Sequence, residues 1–321
     1  MATKPSVKAA KEATPAIDVG THFFNQLYLY AFATQGEIFS HIRTQTLEAD
    51  SGRMSEILAS WQAQQPAVQA ILQAEIGVAD RATIEELPRE HERTLKEIAA
   101  NDLFKQSFHA LPISFALVEV DTLVAAQRAV NLDYVGRLRA AYEKKTDLAD
   151  LIDICLSPTR DIAPIQHLEI ANSTHVFSSP NLDIRFLGAF FKKLSQQDLQ
   201  SAVLGGQPAA AVISFVGYGI SCVNVLRWQN RLVLNNGFHR VYALRSLGVT
   251  KIPVVIQQVN NMQLEFPAAV AGLPREYLLH APRPVLMKDF FHDNFCLPLK
   301  SKDRVKVVTL QTGISQFDAP A

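Results

Sequence analysis

An imidazole and a guanidinium stand side by side at His239 and Arg240, directly after a tight Asn-Asn-Gly turn, in the stretch NRLVLNNGFHRVYALRSLGVTKIPVVI that runs from Asn230 to Ile256. The pattern predicts a strand, a turn, a helix, a glycine stop and a second strand. Gly237 lets the backbone turn sharply and approach a neighbour closely. The helix that begins after it aims its unbonded N–H groups at the strand end, where free donors and the helix dipole both favour negative charge. His239 and Arg240 sit in that first turn, at a ready anion site, while Asn236 and Gly237 are turn formers. Val241, Leu244 and Leu247 recur at helical spacing and belong to the core.

This unit resembles the ParB/sulfiredoxin superfamily, in which a strand leads through a Gly-x-His-Arg or Gly-x-x-Arg turn into a helix that ends in leucine-glycine and a Val/Ile-rich strand. The likeness covers about thirty residues and extends back more weakly to VEVDTLVAAQ, with a long insertion between. It implies a nucleotide bound through its phosphates at Asn236, Gly237, His239 and Arg240, with Mg²⁺ if a phosphoryl group is transferred or hydrolysed. The departures are specific. Sulfiredoxins carry a reactive cysteine where this chain has Phe238, so that thiol chemistry has no nucleophile here. Chromosome-partition ParB proteins continue into a helix-turn-helix, whereas about sixty proline-interrupted residues follow Val259, and their Glu-Arg-Arg beside the glycine is only partly mirrored. Free-serine kinases of the superfamily use a carboxylate base. The 66 residues from Leu199 to Leu264 contain no Asp or Glu, so that base would come from Glu119, Asp121 or another distant residue, with His239 as a second candidate proton carrier.

Other groups carry less chemistry. An Asp that starts a helix, as Asp121 is expected to, is most often a cap. Gly217-Tyr218-Gly219 lacks the third glycine and the following helix of a phosphate loop. His292 and Cys296, four apart, could lie on one helix face, but two ligands without others do not make a metal site. Trp61 and the phenylalanines at 186, 190 and 191 are expected in the core.

The elements that must position the site form an α+β chain: a helical N-terminal region plus a ParB/sulfiredoxin-like mixed-sheet domain. Residues 1–18 read as a flexible tail, and 19–105 as a helical region for a protein partner or self-association. There Phe23, Phe24, Leu27, Tyr28 and Tyr30 suggest a first helix, Ser51 or Ser55 caps a second that breaks or restarts at Pro66, and a solvated helix covers Thr83 to Ala99. The domain spans 106–265, with a helical insertion at about 130–200, and 266–321 is a C-terminal extension. Strands are expected at Leu111–Val120, Ala209–Phe215, Cys222–Trp228, Arg231–Leu234, Ile252–Val259 and Arg304–Leu310. Helices are expected after Asp121, at Leu132–Tyr142 and Asp147–Cys155, after Ser195, and near Asp289. Asp183–Leu194 fits a helix or a strand.

Composition bounds the function. With 48% hydrophobic and 19% charged residues, the chain can bury a core. Its 31 basic and 31 acidic side chains cancel, which disfavours DNA coating by bulk charge. The acid-free window is +5, which reads either as a buried sheet with few surface positions or as a local field for an anion. Three cysteines without a CxxC point to a reducing, cytoplasmic compartment, and neither a signal segment nor a membrane span is evident. Three functions remain: nucleotide or phosphorylated small-molecule binding, a non-catalytic adaptor of the same fold, and a DNA-associated or nuclease-like protein.

Overall fold

The structure is a computed structural model that describes residues 23–145, 147–159, 164–170, 174–181, 183–195 and 209–316. The tail expected over 1–18 and the helix expected beyond residue 195 lie outside the described residues. The protein is α+β. It opens with β1 (Phe23–Tyr28), α1 (Gln35–Gln45), α2 (Ser51–Ala74), β2 (Ile84–Glu85), α3 (Glu92–Ala100) and α4 (Asp102–Ser107). Next come β3 (Ile113–Glu119), β4 (Val124–Ala125), β5 (Ala129–Asn131), α5 (Leu132–Tyr142) and α6 (Leu148–Leu156). An outlying β section follows, with β6 (Gln166–Ile170), β7 (Thr174–Ser179), β8 (Ile184–Lys193) and β9 (Ala210–Tyr218). The chain returns through β10 (Asn224–Trp228), β11 (Arg231–Asn236), α7 (Phe238–Ser246) and β12 (Lys251–Gln258). It closes with α8 (Met262–Glu265), β13 (Ala269–Val270), β14 (Leu273–Pro274), α9 (Arg275–His280), β15 (Leu297–Lys302) and β16 (Lys306–Gln311).

A six-stranded mixed sheet in the order β2-β3-β12-β10-β11-β4 forms the centre. β10 and β11 make an antiparallel hairpin, β12 runs parallel to β10, and β11 runs parallel to β4. β12 is buried along Ile252–Ile256, as expected of an interior strand covered on both faces. Pro253, which lacks an N–H, precedes the point at Val255 where β10 joins, so pairing with β10 is not interrupted. α7 lays Val241, Ala243 and Leu244 into the core at 0% exposure. Fully burying each valine or leucine contributes about 1.5–3 kcal/mol.

Several sequence expectations are corrected. Phe23–Tyr28 is a strand, because its backbone pairs with β15 on one side and β5 on the other. α2 runs unbroken through Pro66 and is capped by Asp50, whose carboxylate accepts the Arg53 N–H. Thr83–Ala99 is divided into β2, a 3-10 turn and α3. Asp121 lies in a 3-10 turn rather than capping a helix, and the patch near Asp289 is also 3-10, at Met287–Phe291. The ambiguous segment Asp183–Leu194 contains strand β8, and its phenylalanines 186, 190 and 191 are exposed instead of buried. Among the described residues the insertion is helical in α5 and α6, and continues as β6, β7 and β8. The C-terminal residues are woven back, with β15 on β1 and β16 on β7. No helix among the described residues is long and apolar enough to cross a membrane.

Candidate functional site

Gly237 sits between β11 and α7 with φ of +94°, a left-handed conformation that favours glycine. A β-carbon there would lie 2.7 Å from Val223 Cγ2 and 3.2 Å from Val223 Cα. The close approach anticipated at this glycine is therefore to the chain's own strand-entry residue. Asn236 donates through Nδ2 to the carbonyls of Ile220 and Cys222, both at 3.0 Å, which ties the end of β11 to the segment entering β10.

His239 accepts the Asn131 N–H on Nε2 at 3.1 Å, so the imidazole satisfies a backbone donor at the start of α5. Burial draws its pKa down to about 4, and an acceptor nitrogen must in any case be unprotonated. Arg240 donates to the Ile154 carbonyl at 2.9 Å and to the Ser221 carbonyl, clamping the end of α6 to the approach to β10. The four expected ligands are thus brought together, and each holds the fold.

Glu119 and Asp121 lie elsewhere. Asp121 receives Arg245 Nε and Nη2 at 2.7 and 3.0 Å, a bidentate pair in the last turn of α7. Eight residues at 1.5 Å rise put that end about 12 Å along the helix axis from Gly237. Glu119 is raised above its ordinary carboxylate value first by burial and then by the Asp121 charge, with Lys251 and Arg245 opposing. Asp121 anchors α7's far end and Glu119 pairs across the strands with Lys251 beyond it, so neither supplies the turn with a carboxylate base.

The +5 window is largely balanced in three dimensions. Arg231 is paired with Asp80, Arg245 with Asp121 and Lys251 with Glu85, all carboxylates from earlier in the chain. Arg227 and Arg240 differ: their hydrogen-bond partners among the described residues are neutral carbonyls.

Sequence reasoning missed Asn224. It is 3% exposed, and its Oδ1 accepts Asn235 Nδ2 at 2.8 Å and Gln257 Nε2 at 3.0 Å, joining three strands. A single amide inside the apolar run Cys222–Trp228 was the one signal for it. Burial pushes Cys155, Cys222 and Cys296 up to about 12, so all three thiols are poor nucleophiles. His292 stacks on Phe295 at 3.7 Å, and Cys296 donates weakly to the Phe290 carbonyl. Among the described residues, no group of three or more His, Cys, Asp or Glu side chains is arranged to hold a metal ion. A shallow concavity lies on the exposed face of α3, lined by Arg89, Glu92, Arg93, Lys96 and Glu97, whose charges pair along the helix.

Neutral His239 makes stability depend on pH. His41 behaves alike: burial first, then the Arg304 charge, lowers it to about 4. Between the unfolded value near 6.5 and the folded value near 4, the unfolded chain binds more protons, so stability falls as pH falls through that window. Each histidine contributes a slope of at most about 1.4 kcal/mol per pH unit. His239→Gln keeps an acceptor for the Asn131 N–H without titrating. Thermal melts of this variant from pH 7 to pH 4 are expected to show a shallower acid loss than wild type, with little change at pH 7.

The arrangement is that of a mixed-sheet α+β protein whose strand-turn-helix unit is hydrogen-bonded to the chain's own backbone. A scan against protein-family models finds no match, and neither do searches of curated proteins or of solved structures.

Proposed function

We propose that this chain is a non-catalytic interaction protein, in which the ParB/sulfiredoxin-like turn serves as a structural fastening. What supports this reading is that Asn236, His239 and Arg240 all hydrogen-bond to the chain's own backbone, while the close approach at Gly237 is to Val223. A group that acts as general base or phosphate clamp has to reach a ligand, and these groups reach Asn131, Ile154, Ile220 and Ser221 instead. The separation of Glu119 and Asp121 from the turn argues in the same direction.

One observation favours nucleotide or phosphate-ester binding as a second reading. Arg240 puts a cation in the first turn of α7, where the helix dipole opposes it, and Gly237 offers no side-chain cap. An oxyanion at that end would relieve both. Thermal shifts with CTP, ATP, ADP and GTP, with and without Mg²⁺, separate the two. The interaction reading expects flat curves. A ligand at about 100 times its Kd would add about 2.7 kcal/mol, or roughly 5 °C or more in Tm. Such a shift, absent in Arg240→Ala, would replace the first reading with the second.

A further inference from the structure

β8 and β9 form a two-stranded ribbon on which six large hydrophobic side chains are exposed: Phe186, Leu187, Phe190, Phe191, Val212 and Phe215. The register distributes them over both faces. Phe191 lies opposite Val212 and Phe186 opposite Val216 on one face. Phe190 lies opposite Ile213 on the other, and its ring stacks on Phe215 with centroids 5.5 Å apart. β8 has β16 against it, whereas the outer edge of β9 has no strand neighbour among the described residues. That edge, AAVISFVGY, contains no charge and no proline, the devices that usually blunt an exposed strand.

We infer that β9 pairs antiparallel with β9 of a second copy of this chain, about a two-fold axis at Ser214, making a continuous four-stranded sheet. This rests on the interaction reading and names the partner. The β9 sequence is complementary to itself about Ser214: Val212 falls opposite Val216 of the second copy, and Ile213 opposite its Phe215. Combined with the observed β8–β9 register, this gives one apolar row across all four strands, Phe191, Val212, Val216 and Phe186, the last two from the second copy. The symmetry repeats the row in reverse, as an isologous contact requires. On the opposite face, Phe190 and Ile213 continue onto Phe215 of the second copy.

Aromatic side chains offer about 150–250 Å² each, and the six exposures run from 47% at Phe215 to 74% at Val212. Together they expose roughly 600 Å² of apolar surface per copy, of which edge pairing covers the parts of Val212 and Phe215 turned toward the second copy and leaves the rest on the two faces of the enlarged sheet. The formal net charge of zero leaves no long-range repulsion between copies.

Sedimentation of the full chain is expected to show a dimer across the micromolar range. Val212→Lys places an ammonium in the central row while disturbing the monomer little, since Val212 is 74% exposed. It is expected to raise the dimer dissociation constant roughly tenfold or more, with a melting temperature equal to wild type's at concentrations where both are monomeric. Ser214→Cys is expected to form a covalent dimer under mild oxidation that wild type does not form, because directly opposed residues lie about 4.5–5.5 Å apart at Cα, within disulfide reach. A monomeric wild-type chain overturns the inference, as does a dimer indifferent to Val212→Lys with no cross-link at 214. A monomer that instead sediments with anionic lipid vesicles also overturns it and assigns the ribbon to a membrane surface. None of these outcomes changes the nucleotide result, so failure of the pairing is distinguishable from failure of the interaction reading.

Discussion

Asp289→Ala is expected to destabilise the protein by about 3–5 kcal/mol, the cost of removing one partner from a buried ion pair. The side chains of Arg283 and Asp289 are 1% and 4% exposed. Arg283 Nη2 donates to Asp289 Oδ1 at 2.7 Å and to Glu75 Oε2 at 2.7 Å, and Lys288 reaches the same Glu75 oxygen at 2.8 Å. Asp289 Oδ2 also accepts the Leu286 N–H at 2.8 Å. Removing that carboxylate leaves the buried guanidinium with Glu75 as its one carboxylate partner among the described residues and strands the Leu286 N–H. The cluster joins the end of α2, which Glu75 caps, to the segment before β15, so its loss loosens two parts of the chain about 200 residues apart. Denaturant titration measures the loss. The double variant Arg283→Met, Asp289→Leu is expected to recover most of it, because desolvating the ions is itself costly. The exposed pair of Arg93 with Glu97 serves as the control, and breaking it is expected to cost under about 1 kcal/mol. Burial pushes the Glu75 pKa up, but hydrogen bonds from Lys288 and Arg283 and their charges outweigh it and hold the group below its ordinary value. Its contribution is thus present above the unfolded value near 4.3 and is lost as pH falls through the folded one.

Gly237→Ala is expected to cost about 2–5 kcal/mol, from two independent sources. A left-handed φ of +94° costs an L-residue about 1–2 kcal/mol. The added methyl, 2.7 Å from Val223 Cγ2, adds about 1–3 kcal/mol of overpacking. Val223 has little room to give: it is 0% exposed, its N–H is bonded to the Cys155 carbonyl at 2.6 Å, and its carbonyl accepts the Val255 N–H at 3.0 Å. Equilibrium unfolding should show the loss, and Val223→Ala in the same chain should recover part of the steric share. If Gly237→Ala left stability unchanged, the turn would not be the fastening inferred above. Gly248, also at positive φ, has nothing within 4 Å of the position a β-carbon would take, and should lose only the conformational share when replaced by alanine.

Much of the region around the turn was legible because its signals are local. The hairpin of β10 and β11, the helix begun after Gly237, the glycine stop at 248 and the buried strand β12 all follow from short-range periodicity and turn chemistry. Val241 and Leu244 went to the core as their spacing required. The jobs of His239 and Arg240 were not legible, because a side chain bonding a remote carbonyl leaves no trace in residue type. Ile154 and Ser221 accept from Arg240 through groups that every residue possesses. The ribbon was misjudged for a related reason: phenylalanine at 186, 190 and 191 reads as core whenever no partner strand is known.

Sequence alone determined the α+β class, the strand-turn-helix unit and the sharp turn at its glycine, since each depends on neighbours within a few residues and on backbone sterics. Only tertiary structure decided that Phe23–Tyr28 is a strand, by pairing it with β15 some 270 residues later, and that Asp121 serves Arg245 at the far end of α7. Both outcomes turn on backbone donors and charges meeting partners distant in sequence, where burial makes an unpaired group too costly to leave and composition does not say which partner will arrive.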